Sequence, residues 1–248
     1  AATPDKADFA RIVDALVRQA RSAGVTIRTG VTVDSDLVEA ENPDVVVVAT
    51  GAKPAPAPFP GADHPKVRLA WDILSGRAFV EGKRVVVVGG SATGCETALK
   101  IAQEGTLDPE TLAFLFLHQA EDVETLRDMA TRGTREVTVV DLLPRLASNM
   151  ARTTRWVLLK DLKTYHVRMV TDAKVTAVTD RGVEIERNGQ PEILEADTVV
   201  LATGARPCND LYDTLQAAGR NVLLVGDAKQ PRRIVEAIQE GFAAGLEI

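Results

Sequence analysis

Apolar positions recur along this chain with two different spacings. Between Asp8 and Ala23 they fall at Phe9, Ile12, Val13, Leu16, Val17 and Ala20, which predicts a helix that Gly24 is placed to end. Elsewhere they form short unbroken runs. Val45–Ala49, Val85–Val88, Val137–Val140 and Thr198–Ala202 predict strands buried on both faces. Val25–Arg28, Val31–Val33 and Asn221–Val225 predict further short strands, and Trp71–Leu74, residues 151–164 and residues 231–248 predict helices. Strands near Val167–Val170, Lys174–Val178, Val183–Arg187 and Glu192–Leu194 are separated by Asp180-Arg181-Gly182 and Asn188-Gly189, the composition of hairpin turns.

The central stretch is Arg84-Val85-Val86-Val87-Val88-Gly89-Gly90-Ser91-Ala92-Thr93-Gly94-Cys95-Glu96. A valine strand enters a glycine turn, and the turn opens into good helix formers. That order is the start of a dinucleotide-binding βαβ unit. Small residues let backbone N–H groups approach a pyrophosphate, and the helix N-terminus adds unpaired donors and a positive dipole end. The residues in position for this are Gly89, Gly90, Ser91, Ala92, Thr93 and Gly94. Ser91 replaces the middle glycine of G-x-G-x-x-G. Its Cβ would crowd a phosphate, whereas its hydroxyl would donate to one.

Residues 105–133 interrupt a simple βαβ. Asp108-Pro109-Glu110 starts one helix, Glu121–Arg132 forms a second, and Leu112–Leu117 is almost wholly apolar. The expectation for that apolar stretch is a packed covering helix, with a partner-binding surface as the alternative. Residues 52–65 hold five prolines and predict a crossing linker. Asp44–Gly51 and Asp197–Gly204 are near copies, each ending a strand in Ala-Thr-Gly at Thr50-Gly51 and Thr203-Gly204. Such an exit lets the chain leave the strand sharply beside a ligand or a neighbouring domain.

Composition narrows the chemistry. The chain has 248 residues, 45% of them hydrophobic, and a net charge of −6, which disfavours a nucleic-acid or anionic-membrane partner. No apolar run is long enough to span a bilayer. Cys95 and Cys208 give neither a CxxC pair nor metal-ligand spacing, and three scattered histidines add none, so no metal site and a cytoplasmic location are expected. A start at Ala1-Ala2-Thr3 suggests a piece of something longer.

The repeated Ala-Thr-Gly strands, the glycine turn followed by Glu96, the hairpin meander, and the ending Gly226-Asp227 with its helix together resemble a flavin-linked pyridine-nucleotide reductase. The ending from Gly226 to Ile248 and Thr153-Thr154-Arg155-Trp156 resemble in particular the C-terminal portion of the 2,4-dienoyl-CoA reductase and trimethylamine dehydrogenase group of NADH:flavin oxidoreductases. The resemblance implies an α/β architecture. A Rossmann-like three-layer NAD(P)-binding domain, residues 83–204, is inserted into an incomplete FAD-binding-type domain, residues 1–82 and 205–248, with a small antiparallel meander. It implies NADH as cofactor, NADPH remaining open, and FAD (or ADP) in the complete protein. FMN and an iron–sulfur cluster would belong to a barrel outside this chain. No catalytic residue is expected here, the acid for substrate reduction belonging to that barrel. The partners implied are the nucleotide and the flavin-binding and barrel parts; oligomeric state is left open.

Individual roles follow. Asp141 ends the second strand of the unit, where an acid accepts from the ribose hydroxyls and repels a 2′-phosphate. It lies much further from the turn than the usual ~20 positions, an excess the helical insert explains. Arg145, close by, would accommodate a 2′-phosphate. Glu96 matches an acid close to the nicotinamide in the family, or else complements the first turn of its helix. Asp227, with Gly226, resembles the ligand of the flavin ribityl chain, or else caps a helix. Two functional readings stay open: hydride transfer from NADH to flavin in an enoate or dienoyl-CoA reductase-like enzyme, and a vestigial site serving as a structural or ADP-binding module of an amine dehydrogenase-like flavoprotein.

Overall fold

A computed structural model describes residues 8–248. The chain runs through α1 (Phe9–Ser22), α2 (Ser35–Glu41), β1 (Val46–Val48), β2 (Ala52–Pro54), β3 (Val67–Leu69), α3 (Ala70–Ser75), β4 (Arg84–Val88), α4 (Ala92–Ala102), α5 (Pro109–Leu117), α6 (Val123–Thr131), β5 (Glu136–Val140), α7 (Arg152–Thr164), β6 (Arg168–Val170), β7 (Ala173–Thr179), β8 (Gly182–Arg187), β9 (Gln190–Glu195), β10 (Thr198–Leu201), β11 (Ala205–Pro207), α8 (Asp210–Ala217), β12 (Val222–Leu224), a 3-10 turn (Gly226–Ala228) and α9 (Ile234–Glu247). It divides into two units, one built on residues 56–203 and the other on residues 13–55 and 204–248.

The first unit is a three-layer sandwich. Its parallel sheet has the order β3-β10-β4-β5-β6. The central strand β4 pairs with β10 on one side and β5 on the other, so its valines alternate between two filled faces. Val85 and Val87 join Val137, Val139 and Val200 beneath α3, α4 and α7, through Ile73, Ala98, Ile101, Leu158 and Leu162. Val86 and Val88 join Val140, Val199 and Leu201 on the other face. That face is covered not by helices but by the antiparallel meander β7-β8-β9, through Val178, Val183, Ile185 and Leu194. Both faces are therefore dry, which is why the strand has no polar alternation. Burying one such valine stabilises by roughly 1.5–3 kcal/mol. The hairpin between β8 and β9 turns through Asn188 and Gly189, both at positive φ, as a two-residue primed turn requires.

Asp197 locks the start of β4 to the start of β10. Its Oδ2 accepts from the backbone N–H groups of Lys83 at 2.9 Å and Arg84 at 2.8 Å, and its Oδ1 accepts from the Arg84 guanidinium at 2.6 Å. Arg84 also reaches Glu195 at 2.5 Å. The insert carries two capped helices: Asp108 accepts from Thr111 N and Asp122 from Thr125 N, both at 2.9 Å.

The second unit is thinner. Parallel β1 and β12 form one two-stranded sheet and antiparallel β2 and β11 another. The helix α2 begins at Asp34, whose side chain accepts from Leu37 N at 2.9 Å, and ends at Asn42 with φ 43°.

Several sequence expectations change. Residues 25–28 and 31–33 form no strand; their valines and Ile27 are exposed and join no sheet among the described residues. The run 45–49 is not buried on both faces, because β1 has one strand partner and Val47 is 41% exposed. The proline-rich stretch includes the short strand β2. The helix α5 is not a covering helix: none of its residues is buried, and Phe114, Phe116 and Leu117 lie 58–75% exposed.

The hydrogen bonds and charge of Arg84, with two backbone N–H groups, hold the Asp197 carboxyl well below the usual carboxylate range. A lowered folded pKa means its stabilisation is present in full above the unfolded value, about 3.9, and is lost as pH falls below it. Asp197→Asn is expected to lower the urea midpoint at pH 7, with a smaller gap to wild type at pH 3. A gap that stays constant between those pH values contradicts this assignment.

Candidate functional site

The glycine turn sits at the C-terminal end of β4, where an open parallel α/β sheet presents its ligand crevice. Gly89 has φ 105°, a conformation that favours glycine, and a Cβ there would meet the Ala202 carbonyl oxygen at 2.4 Å. A Cβ on Gly94 would lie 1.8 Å from the Gly89 carbonyl oxygen. Gly94 is thus the residue that lets α4 pack down on the strand end. Ser91 is the N-cap of α4, in extended conformation and with no side-chain capping bond. The first turn of α4 contains no acidic residue.

Asp141, at the exit of β5, is brought to the turn by the register that pairs Val88 with Val140. Its Oδ2 accepts from the Gly90 N–H across 51 residues of sequence. Its Oδ1 accepts from Leu143 N at 2.7 Å. The chain that follows folds back over the turn. Ala147 N donates to the Gly90 carbonyl at 2.6 Å, and Asn149 Oδ1 accepts from the Ala92 N–H at 3.1 Å. Arg155 Nε fixes the Leu146 carbonyl at 2.8 Å. A Cβ on Gly90 would lie 2.2 Å from Leu146 Cδ2, so a larger residue there would displace the end of that side chain. Arg145 lies exposed on the loop.

Glu96 falls one turn deeper into α4 and is buried and partnered, so it does not complement the helix's first turn. Burial, then the charge of Asp141, pushes the Cys95 thiol up to about 12, which leaves it an inert core residue. The remaining candidates, apart from Thr203 next to the turn, belong to the second unit. There Thr50 Oγ1 donates to the Cys208 carbonyl, Cys208 N donates to the Gly51 carbonyl at 2.9 Å, and Ala55 N donates to Gly204 at 3.0 Å. Gly51 and Gly204 take φ 74° and 104° where the chain enters β2 and β11. Gly226 N donates to Glu240 Oε2 at 2.8 Å, and Asp227 Oδ1 accepts from Arg232 N at 3.1 Å. Among the described residues, no group of three or more His, Cys, Asp or Glu is placed to hold a metal ion, and no helix is long and apolar enough to cross a membrane.

The residues of the first unit do fit a dinucleotide: tight glycine turn, close helix approach, an unbonded N-cap hydroxyl and an acid at the neighbouring strand end. The loop residues Leu146, Ala147 and Asn149 were not legible beforehand, since nothing in their local sequence indicates a contact with Gly90 or Ala92.

Fold and turn define an α/β unit of the dinucleotide-binding type, with a glycine turn at the end of a central parallel strand. The model of the pyridine nucleotide-disulphide oxidoreductase family matches residues 11–241, and the chain belongs to that family. It is 39% identical over 251 residues to a metal reductase of Desulforamulus reducens, covering all of this chain and 37% of that protein. It is 31% identical over 252 residues to an NADH oxidase of Thermoanaerobacter brockii, covering all of this chain and 34% of that protein. A 2-naphthoyl-CoA reductase structure superposes with a TM-score of 0.80 at 25% identity, over all of this chain and 33% of the other. These relatives bear out the resemblance to the C-terminal nucleotide-binding portion of the NADH:flavin oxidoreductases. The chain spans about a third of the length of these three proteins.

Gly94→Ala places a methyl group against backbone rather than a flexible side chain. It is expected to cost about 1–3 kcal/mol, the usual range for overpacking, in urea denaturation followed by circular dichroism. Wild-type stability in this variant contradicts the packing role.

Proposed function

We propose that this chain is the nucleotide-binding reductase portion of an NADH-dependent flavin oxidoreductase. The observation that carries the reading is the convergence of Gly89–Gly94, the α4 N-terminus and Asp141 at one end of the parallel sheet. The reduced nicotinamide, when bound, supplies a hydride, and a flavin in the complete protein accepts it. This chain's residues bind and orient. The N–H groups of Thr93 and Gly94, in the first turn of α4, face the pyrophosphate together with the Ser91 hydroxyl. Asp141 serves twice: its inward hydrogen bonds hold the turn in shape, and its remaining lone pairs take the ribose hydroxyls. Arg145 flanks that position.

The parent enzyme is assigned to the enoate or dienoyl-CoA reductase type, with residues 1–82 and 205–248 contributing to a FAD-binding domain around Gly226 and Asp227. FMN and an iron–sulfur cluster are assigned to a barrel outside this chain, and the location to the cytoplasm. The NADH oxidase and the reductases among its relatives support a redox role.

One observation favours a second reading. Gly90 N and Ala92 N are already bonded to Asp141 and Asn149, and Ser91 stands where the middle glycine is usual. A vestigial site, acting as a structural or ADP-binding module, has this character as well.

Asp141→Ala removes both tasks of the carboxylate at once, and the preference between the two nucleotides reports on the ribose task. Calorimetric titration of the wild type is expected to show saturable NADH binding with NADPH clearly weaker. In the variant NADH binding is expected to weaken by about tenfold or more, in line with the loss of charge-assisted hydrogen bonds, and the preference over NADPH to shrink toward one. An unchanged preference removes Asp141 from the selecting role, and no binding of either nucleotide by folded wild type favours the vestigial module.

A further inference from the structure

The first turn of α4 should present free backbone donors, yet its first amide is taken. Ala92 N donates to Asn149 Oδ1 at 3.1 Å, across 57 residues of sequence. This contact has a built support. Ala147 N bonds the Gly90 carbonyl, the buried Leu146 packs against the Gly90 position, and Arg155 holds the Leu146 carbonyl. Ala147 itself sits at φ 50°, a left-handed conformation that costs an alanine roughly 1–2 kcal/mol. The loop is thus pinned at residues 146–147, bent by a residue that disfavours the bend, and carries the exposed Asn149 onto the helix end. A side-chain amide oxygen there fills the place of an anionic oxygen on the same N–H.

We infer that Asn149 is an internal surrogate for a phosphate oxygen and gates the nucleotide site: it occupies the Ala92 amide in the free protein and must swing off before a pyrophosphate can use that donor. The inference rests on the reading of the glycine turn as a nucleotide site. Asn149 is a gating residue, not a ligand, and its effect on affinity is the reverse of a ligand's. Removing its oxygen frees a donor for the nucleotide while costing the free protein a helix cap. Replacing it by a carboxylate strengthens the cap, because a negative charge at a helix N-terminus is favourable. It also sets that charge against the incoming phosphates.

The test uses the full chain as wild type, Asn149→Ala and Asn149→Asp. Each is titrated with NADH and with NADPH, its melting temperature is measured without nucleotide, and the hydrogen exchange of the Ala92 amide is followed by NMR. Relative to wild type, Asn149→Ala is expected to melt lower, to lose Ala92 protection, and to bind either nucleotide about three- to tenfold tighter, the gain of releasing one neutral hydrogen bond. Asn149→Asp is expected to melt higher and bind more weakly. Wild type that binds NADH while Asn149→Ala binds equally or less tightly overturns the gate and leaves the nucleotide site standing. Unchanged Ala92 protection in Asn149→Ala overturns the contact itself. Loss of protection with no nucleotide binding by any of the three proteins overturns the nucleotide reading, and the gate falls with it. Binding by Asn149→Ala alone supports both and identifies wild type as closed by its own loop.

Discussion

The site depends on one carboxylate. Asp141 joins the end of β5 to the turn after β4 by accepting from Gly90 N, and joins the turn to its own loop by accepting from Leu143 N. It adds a side-chain tie to the backbone bond that Gly89 N already donates to the Val140 carbonyl at 2.9 Å. The parallel sheet makes the bond available. Registering Val88 with Val140 brings the two strand exits side by side, and the dry packing of both faces of β4 fixes that register.

The energetic weight of the chain is unevenly spread. The first unit fills two core layers around one sheet. The second has strands three residues long in two-stranded sheets, and helices α1 and α9 bury none and one of their residues respectively. Local opening is therefore expected to be easier in the second unit. The glycine turn proposed to take the nucleotide belongs to the unit with the two filled core layers.

Much of this was legible in the sequence, for reasons that differ by element. Four successive valines running into a glycine turn read as a strand buried on both faces, and β4 is one. Asn188-Gly189 specifies its hairpin through backbone conformation alone. Capping explains what was missed: α2 follows Asp34, and a short helix of mixed polarity shows little beyond that cap. The strand expectations at 25–28 and 31–33 failed because propensity makes no strand without a partner to bond. At the site, the glycines could be read because their constraint is local. The engagement of Asp141, Ala147 and Asn149 with the turn could not, since each contact joins residues more than fifty positions apart through the fold.

The central claim is that a pyridine nucleotide docks on the turn between β4 and α4. The most direct measurement is a two-dimensional NMR titration of the isotopically labelled chain with NADH, following backbone amides. The account predicts saturable shifts concentrated at Gly89–Gly94 and at residues 141–149. Shifts that do not saturate, or that cluster away from this turn, contradict it.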